Sequence, residues 1–174
     1  MAAGSSKDLL HGTLSDAQPP DSPIVAEGWA GIAFDRNRHE YFAPEDIWIA
    51  WLDVHLGRPS SLKQIEIVSF KDVEADRDGF FAAPSLCSLH EFLAEDARFL
   101  ADHYVLSRSS EWVVRLDQDV TLFAAKVDFV SEVLARLGGL TDVMARMVED
   151  FDPGTGDPVG LNGFLLEITK GLRS

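Results

Sequence analysis

The stretch EWVVRLDQDVTLFAAKVDFVSEVLARL, residues 111–137, decides the fold class of this chain. Apolar side chains alternate from Trp112 onward, a polar triplet at residues 117–119 interrupts them, and an apolar run then resumes. Alternation with a period of two on both sides of a polar turn is typical of two antiparallel strands. The sequence therefore predicts a β-hairpin over residues 111–125.

A helix is predicted directly after this hairpin, over residues 126–137. Its apolar residues recur every three or four positions, which places them on one face of a helix. Gly138 and Gly139 end the pattern, as glycine commonly does after the last helical turn. The apolar positions of the predicted helix are Val127, Val130, Val133, Leu134 and Leu137.

Further strands and one strongly apolar helix are predicted upstream. Two apolar runs around a polar turn predict a first hairpin over residues 29–42, and β-branched residues predict a strand over residues 64–70. Between them, Pro44 followed by two acids predicts the start of a helix, because acids suit the positive end of the helix dipole. One face of that helix carries Trp48, Trp51, Leu52, His55 and Leu56.

Three more helices complete the predicted architecture. Ser88 and Glu91 form a capping box that predicts a helix running to about residue 104, and apolar stripes predict helices over residues 141–151 and 161–172. Hairpins imply antiparallel pairing, and the helices alternate only loosely with the strands. We therefore predict an α+β fold, in which a small, mostly antiparallel sheet packs against four to five helices in a two-layer sandwich.

The chain is expected to divide into a disordered N-terminal tail, residues 1–23, and a single globular domain, residues 24–174. The tail is rich in proline and weakly apolar, a composition that does not support a packed core. It contains no apolar run of signal-peptide length. The densest apolar stretch, residues 47–56, is far shorter than the about 20 residues that span a bilayer.

Acidity is the strongest global feature, with 29 acidic residues against 15 basic ones and a formal net charge of −14. The acids are spread over the whole chain. Such a charge repels nucleic-acid phosphates and anionic membrane surfaces, and it attracts basic proteins. We therefore expect a basic protein partner, and neither nucleic acid nor membrane. The single cysteine, Cys87, allows no intramolecular disulfide and fits a reducing, cytoplasmic location.

Metal and cofactor motifs are incomplete. Residues 74–79 approach a calcium loop, yet the twelfth loop position, which should be a bidentate Glu, is Ser85. Cys87 and His90 have a zinc-like spacing but lack the further ligands that a zinc site needs. We predict no metal and no cofactor. His39 with its acidic neighbour is a candidate for one half of a general acid–base set.

The tryptophans indicate where a protein partner would bind. Trp48 and Trp51 lie on a predicted helix that is apolar nearly all round, so this helix is either central or offers one face to a partner. Aromatic anchors dominate binding energy at protein interfaces. We take Trp48 and Trp51 as candidate anchors, with burial in the core as the alternative. The candidate steering charges are Glu45, Asp46, Asp72, Glu74, Asp76 and Asp78.

Size, acidity and the missing catalytic motifs favour a non-enzymatic acidic module that binds a basic protein and neutralises or escorts it. Immunity proteins and secretion chaperones are functional classes of this kind. One alternative is a small-molecule enzyme that uses scattered histidines and carboxylates, and another is a structural subunit, for example of a homodimer. A grooved acidic surface with exposed aromatics would favour the binding module, and a pocket with converging histidine and carboxylate groups would favour the enzyme.

Overall fold

The computed structural model describes residues 5–59, 63–152 and 156–173. Six strands form one antiparallel sheet in the order β1-β6-β5-β4-β2-β3. The strands are β1 (Trp29–Asp35), β2 (Ile65–Ser69), β3 (Phe80–Ala82), β4 (His103–Ser107), β5 (Trp112–Leu116) and β6 (Val120–Lys126). The helices are α1 (Ser6–Thr13), α2 (Glu45–Gly57), α3 (Phe70–Glu74), α4 (Leu86–Ala94), α5 (Val127–Arg136), α6 (Leu140–Phe151) and α7 (Pro158–Ile168).

The antiparallel sheet and its helices confirm the predicted α+β class. Strands β5 and β6 form the predicted hairpin, and the N–H of Asp117 donates to the carbonyl of Val120 (3.1 Å) at its turn. Helix α5 follows with bounds within one residue of those expected, and α2 begins directly after Pro44. In these elements the local pattern and the tertiary packing require the same conformation.

One face of the sheet holds the aromatic centre of the core. The ring of Trp48 lies 4.7 Å from that of Phe123, and the ring of Trp51 lies 5.0 Å from that of Phe129 and 6.1 Å from that of Trp112, between centroids. These residues belong to α2, α5, β5 and β6, so the two helices pack on the hairpin that the sequence predicts. Large aromatic rings bury more apolar area than any other side chain, and this cluster is a main source of stability.

Residues 5–23 differ from the disordered tail that their composition predicts, and residues 1–4 lie outside the described residues. Helix α1 places Leu10 (2% exposed) and Leu14 (6%) in the core. Arg115, which faces away from the aromatic centre, donates to the carbonyls of Ser15 and Ala17, both at 3.3 Å. The few apolar side chains of this segment pack on the face of the sheet opposite the aromatic centre. The average composition of the segment does not show that these side chains have such contacts.

The hairpin predicted over residues 29–42 does not form. Strand β1 ends at Asp35, whose carboxylate accepts a hydrogen bond from the N–H of Asn37 (2.9 Å) and caps a 3-10 turn at Arg36–Arg38. The strand pairs instead with β6, and Asp35 lies opposite Val120. The polar residues therefore turn the chain out of the sheet, because the cap satisfies the backbone locally.

The helix predicted from Ser88 to about residue 104 is divided in the structure. Ser85, not Ser88, caps α4 by accepting a hydrogen bond from the N–H of Ser88 (3.1 Å). After α4 the backbone of Asp96 and Ala97 takes positive φ angles of 53° and 54°, and β4 then enters the sheet. Because β4 lies between β2 and β5, its backbone groups form hydrogen bonds with both neighbouring strands. This stabilisation comes from distant segments, so the helical spacing of the local sequence does not predict it.

Smaller differences concern the ends of elements. The acidic run that precedes β3 begins in helix α3, because Ser69 accepts a hydrogen bond from the N–H of Asp72 (3.1 Å) and caps this helix. Helix α6 begins at Leu140, one residue before its predicted start, directly after Gly139, which has a φ of 100°. No helix in the described part of the chain is both long and apolar enough to cross a bilayer.

Candidate partner-binding site

Both tryptophans predicted as anchors lie in the core. Trp48 and Trp51 are 0% exposed, and the indole N–H of Trp48 donates to the carbonyl of Tyr41 (2.8 Å). A partner could reach their rings only by lifting α2 from the sheet. The alternative that the sequence left open therefore holds: α2 is a central helix, and Trp48 and Trp51 are packing residues instead of surface anchors.

The predicted steering charges separate into two groups. Glu45 and Asp46 lie on the first turn of α2, where Arg146 donates two hydrogen bonds of 2.8 Å to Asp46 and lowers its pKa. This pairing compensates much of the Asp46 charge. The second group follows β2, on α3 and in the loop before β3, and two of its acids, Asp72 and Asp78, line a different pocket from Asp46. Its members are Asp72, Glu74, Asp76 and Asp78.

Aromatic residues that the sequence analysis did not select lie beside the second group. Phe80 of β3 is 52% exposed and stacks on Phe92 of α4, with ring centroids 4.7 Å apart and the ring planes at 20°. Leu100, in the segment after α4, is 79% exposed. The available signal was the pair Phe80-Phe81 at the end of an acidic run, but β3 has only three residues and shows no alternation.

A pocket of about 520 Å³ adjoins the Phe80–Phe92 pair on the side of α3. Ser69 and Asp72, at the start of α3, form one wall of the pocket, where the hydroxyl of Ser69 donates a hydrogen bond to the carboxylate of Asp72 (2.7 Å). Asp72 is also paired with Arg77 (3.1 Å), whereas Asp78 makes no ion pair among the described residues. The lining residues are Ile67, Ser69, Asp72, Asp78, Gly79, Phe80, Phe92, Arg98, Ala101 and His103.

The imidazole of His103 is the least expected member of this pocket. It is 5% exposed, and its Nδ1 lies 3.0 Å from the carbonyl of Ala101. A carbonyl only accepts, so Nδ1 carries the proton and Nε2 is an acceptor, which has no hydrogen-bond partner in the described structure. Burial lowers the pKa of His103, so the ring is neutral at pH 7.

The pocket combines acceptors for a cation with one positive group, Arg98, and it lacks the hydrogen bond that would activate a nucleophile. Ser69 lies opposite His103 in the β2–β4 register, yet its hydroxyl is donated to Asp72, and no described hydrogen bond joins it to the imidazole. A serine nucleophile needs that bond to a base. Two carboxylates and a neutral imidazole nitrogen are instead three acceptors, which suit an ammonium or guanidinium group.

A groove of about 360 Å³ lies on the other side of the Phe80–Phe92 pair. Strand β3 forms one wall, and α4 with Glu95, the residue after it, forms the other, where the carboxylates of Glu91 and Glu95 are exposed. The pocket and the groove thus flank one aromatic pair with acids on both sides. We call the residues that form this region the acidic–aromatic surface: Asp72, Asp78, Phe80, Glu91, Phe92 and Glu95.

His39, the histidine predicted for acid–base chemistry, contacts Asp150 and not its neighbour in sequence. The distance from its Nε2 to Asp150 Oδ1 is 2.7 Å. Asp150 also accepts a hydrogen bond from the N–H of Asp35 (2.6 Å), so this carboxylate joins α6 to β1. In the described residues, no three His, Cys, Asp or Glu side chains meet in a way that could hold a metal ion.

Comparisons of the chain with protein-family models, with curated proteins and with solved structures find no match. The geometry and charge of the acidic–aromatic surface are therefore the features of the molecule that bear on its function.

Proposed function

We propose that the chain is a non-enzymatic, acidic protein-binding module that docks to a basic protein through the acidic–aromatic surface and neutralises or escorts it. The stack of the exposed Phe80 on the partly buried Phe92 is the observation that supports this most. A stacked aromatic pair at the surface offers a compact apolar area for a partner to bury, and such anchors carry most of the binding energy at interfaces. The acids on both sides of the pair form the polar rim of the proposed interface.

The charge of the surface favours a basic partner over a neutral one. Asp78 has no ion-pair partner among the described residues, and the Asp72–Arg77 pair is exposed and therefore weak. Arg98 reduces the negative charge locally, since it donates to Glu95 (3.1 Å) and lies over the ring of Phe92. The net charge of −14 then attracts a basic protein from a distance.

Capture of a partner from the cells that encode this chain tests the proposal. The immobilised chain should retain a protein with a pI above about 9 at low salt. Phe80→Ser should speed its dissociation by about 30-fold, which corresponds to the about 2 kcal/mol of a binding hot spot. Asp78→Lys should instead slow association, because it weakens electrostatic steering.

Matched control variants lie on α2, away from this surface. Ile49 is exposed to a similar degree as Phe80, and Asp53 is an exposed acid on the same helix. Ile49→Ser and Asp53→Lys should leave both rate constants nearly unchanged. Retention of no basic protein, or equal losses in the α2 variants and the Phe80 variant, would contradict the proposal.

A second candidate function is a small-molecule enzyme with His103 as its general base. The observation that favours it is the neutral imidazole beside two carboxylates in one pocket. Hydrolysis of p-nitrophenyl acetate tests it, with His103→Gln as the comparison, since glutamine retains a donor but cannot accept a proton in catalysis. We expect both proteins to give the same rate; turnover that only His103 supports would favour the enzyme.

A further inference from the structure

The two edges of the sheet are protected to different degrees. On β1, the N–H of Ala33 donates to the sulfur of Met147 (3.2 Å), and the N–H of Asp35 donates to the carboxylate of Asp150 (2.6 Å). Both acceptors belong to α6, which covers this edge. Covering an edge in this way is how native proteins prevent further strand pairing.

At the opposite edge of the sheet, the alternation of hydrogen bonds along β2 shows which of its residues bond to β4 and which bond to β3. The N–H of Phe70 donates to the carbonyl of Asp102 (3.1 Å) and extends the ladder between β2 and β4. Hydrogen bonds along an antiparallel strand alternate between its two sides, so even-numbered residues of β2 bond to β4. Ile65 and Ile67 therefore bond to β3.

Phe81 is the free position of this outer strand. Phe80 and Ala82 lie opposite Ile67 and Ile65, so their backbone groups bond to β2. The N–H and C=O of Phe81, between them, point away from the sheet, and no hydrogen bond within the described residues engages them. Phe81 also lines the groove between β3 and α4.

The two glutamates beside the groove are separated by about the same distance as alternate side chains of an extended peptide. Glu91 lies in the last turn of α4, and Glu95 is the residue directly after this helix, so the four-residue step separates their Cβ atoms by about 6 Å. Side chains two residues apart on one face of a strand are separated by about 6.6–6.8 Å. The two spacings are similar, so alternate side chains of a strand beside β3 match the separation of the two carboxylates.

Both glutamates retain acceptor capacity for such a strand. Glu91 accepts from the thiol of Cys87 (3.3 Å), which raises the pKa of that thiol, and Glu95 accepts from Arg98 (3.1 Å). A carboxylate offers about four lone-pair sites, so one donor leaves room for others. The exposed Phe80 ring lies beside them and can pack on the stem of a lysine or on a guanidinium plane.

We propose that an extended, basic peptide segment adds to the sheet along β3. Its backbone bonds to the N–H and C=O of Phe81, and its alternate Lys or Arg side chains meet Glu91 and Glu95. This inference rests on the proposed function and states how the basic partner is recognised. Strand addition supplies affinity through main-chain bonds, and the side-chain contacts supply specificity. A second copy of the chain is disfavoured as the occupant, because it carries the same negative charge.

Amide exchange of the full-length chain, followed by NMR, tests the inference with an acetylated peptide of alternating lysine and valine. At saturation, exchange of the Phe81 N–H should slow by at least about tenfold, whereas Phe80 and Ala82, already bonded to β2, should change little. Replacing Glu91 and Glu95 with lysine should abolish binding, and the exposed control Glu27→Lys should preserve it. The same peptide N-methylated along one backbone edge should not bind.

Three results would overturn strand addition: binding that leaves Phe81 exchange unchanged, equal binding of the N-methylated peptide, or slow Phe81 exchange at high protein concentration without peptide. The last result would identify a second copy as the occupant. If these results appear while Phe80→Ser still releases the captured basic protein, only the strand-addition inference fails. If Phe80→Ser has no effect on the captured protein, the proposed function fails as well.

Discussion

Around Trp51, three buried side chains show how single residues hold this core together. Its indole N–H has no hydrogen-bond partner among the described residues, whereas the N–H of Trp112 donates to Nδ1 of His55 (3.3 Å). The Nε2 of His55 in turn lies 3.1 Å from the carbonyl of Lys63 and donates to it. Trp51 thus contributes through packing alone, and His55 is fixed as a neutral ring by one donor and one acceptor.

Trp51→Ala should lower the free energy of unfolding by about 3–5 kcal/mol, because it leaves a large cavity between α2 and the sheet. Trp51→Phe should have a much smaller effect, since it keeps a ring and removes an unpaired N–H. Urea denaturation measures both. Ile49→Ala, exposed on the same helix, should stay within about 0.5 kcal/mol; a similar loss there would contradict the central position of α2.

The buried histidines make stability depend on pH near neutrality. Burial lowers the pKa of both His55 and His103. Between the lowered value and about 6.5, the unfolded chain binds more protons than the folded chain, so stability falls as the pH falls through this window. Replacing both histidines with glutamine should flatten urea-derived stability between about pH 6.5 and 5.

NMR titration of the two imidazoles gives a second measurement that does not depend on the variants folding. Both rings should titrate below the usual histidine pKa of about 6.5. The control for the histidine-to-glutamine substitution itself is His11→Gln, which replaces an exposed histidine on α1. Unchanged stability of the parent chain across the window, or ordinary titration of both rings, would contradict the assigned burial.

At the scale of elements, α1 and the segment after it act as a cover for the sheet. The hydroxyl of Ser6 donates a hydrogen bond to the buried carboxylate of Glu66 (2.7 Å). The same carboxylate accepts a hydrogen bond from the N–H of Gly79 (2.9 Å). Leu10 and Leu14 are buried by the same contact. The segment therefore satisfies a buried charge in β2 and fills apolar space, both of which favour its attachment.

Leu10→Ala should lower the free energy of unfolding by about 2–5 kcal/mol, as truncation of a buried leucine does. Deletion of residues 1–23 should lower the Tm by more than about 5 °C. Thermal and urea unfolding report both changes. The control is His11→Ala, which alters the exposed neighbour of Leu10; equal effects of the two substitutions would show that α1 does not pack.

At the scale of the whole molecule, the proposed function makes the net charge set the association rate of a basic partner. Raising the ionic strength from about 0.01 M to about 0.15 M shortens the Debye length from about 30 to about 8 Å. The association rate of the lysine–valine peptide should fall by about tenfold or more over this range, with a smaller change in dissociation. Stopped-flow mixing with labelled peptide measures both rates; an association rate independent of salt would contradict steering by the acidic surface.

The burial of α2 also bears on assembly. The homodimer alternative was motivated by a helix that is apolar nearly all round, and the structure uses those apolar faces within the core. The exposed Ile49 and Leu56 that remain on α2 are separated by the acidic Asp53. The exposed Phe80 of β3, stacked on Phe92 of α4, is the stronger candidate for an intermolecular contact.

The sequence by itself determined the elements whose cause is local. The hairpin of β5 and β6 and helix α5 follow from side-chain period, and the start of α2 follows from Pro44 and the acids after it. These signals act over a few residues. The acidic charge is likewise a sum over the chain. From these alone the α+β class and the expectation of a basic partner could be predicted.

Only the tertiary structure decided which distant segments meet. It paired β1 with β6, drew β4 into the sheet, buried Trp48 and Trp51, and joined Phe80 to Phe92 beside Asp78. Each outcome depends on contacts between residues far apart in the chain, where the gain from burial and backbone pairing outweighs the local preference. Local periodicity cannot encode that gain, because it belongs to both segments together.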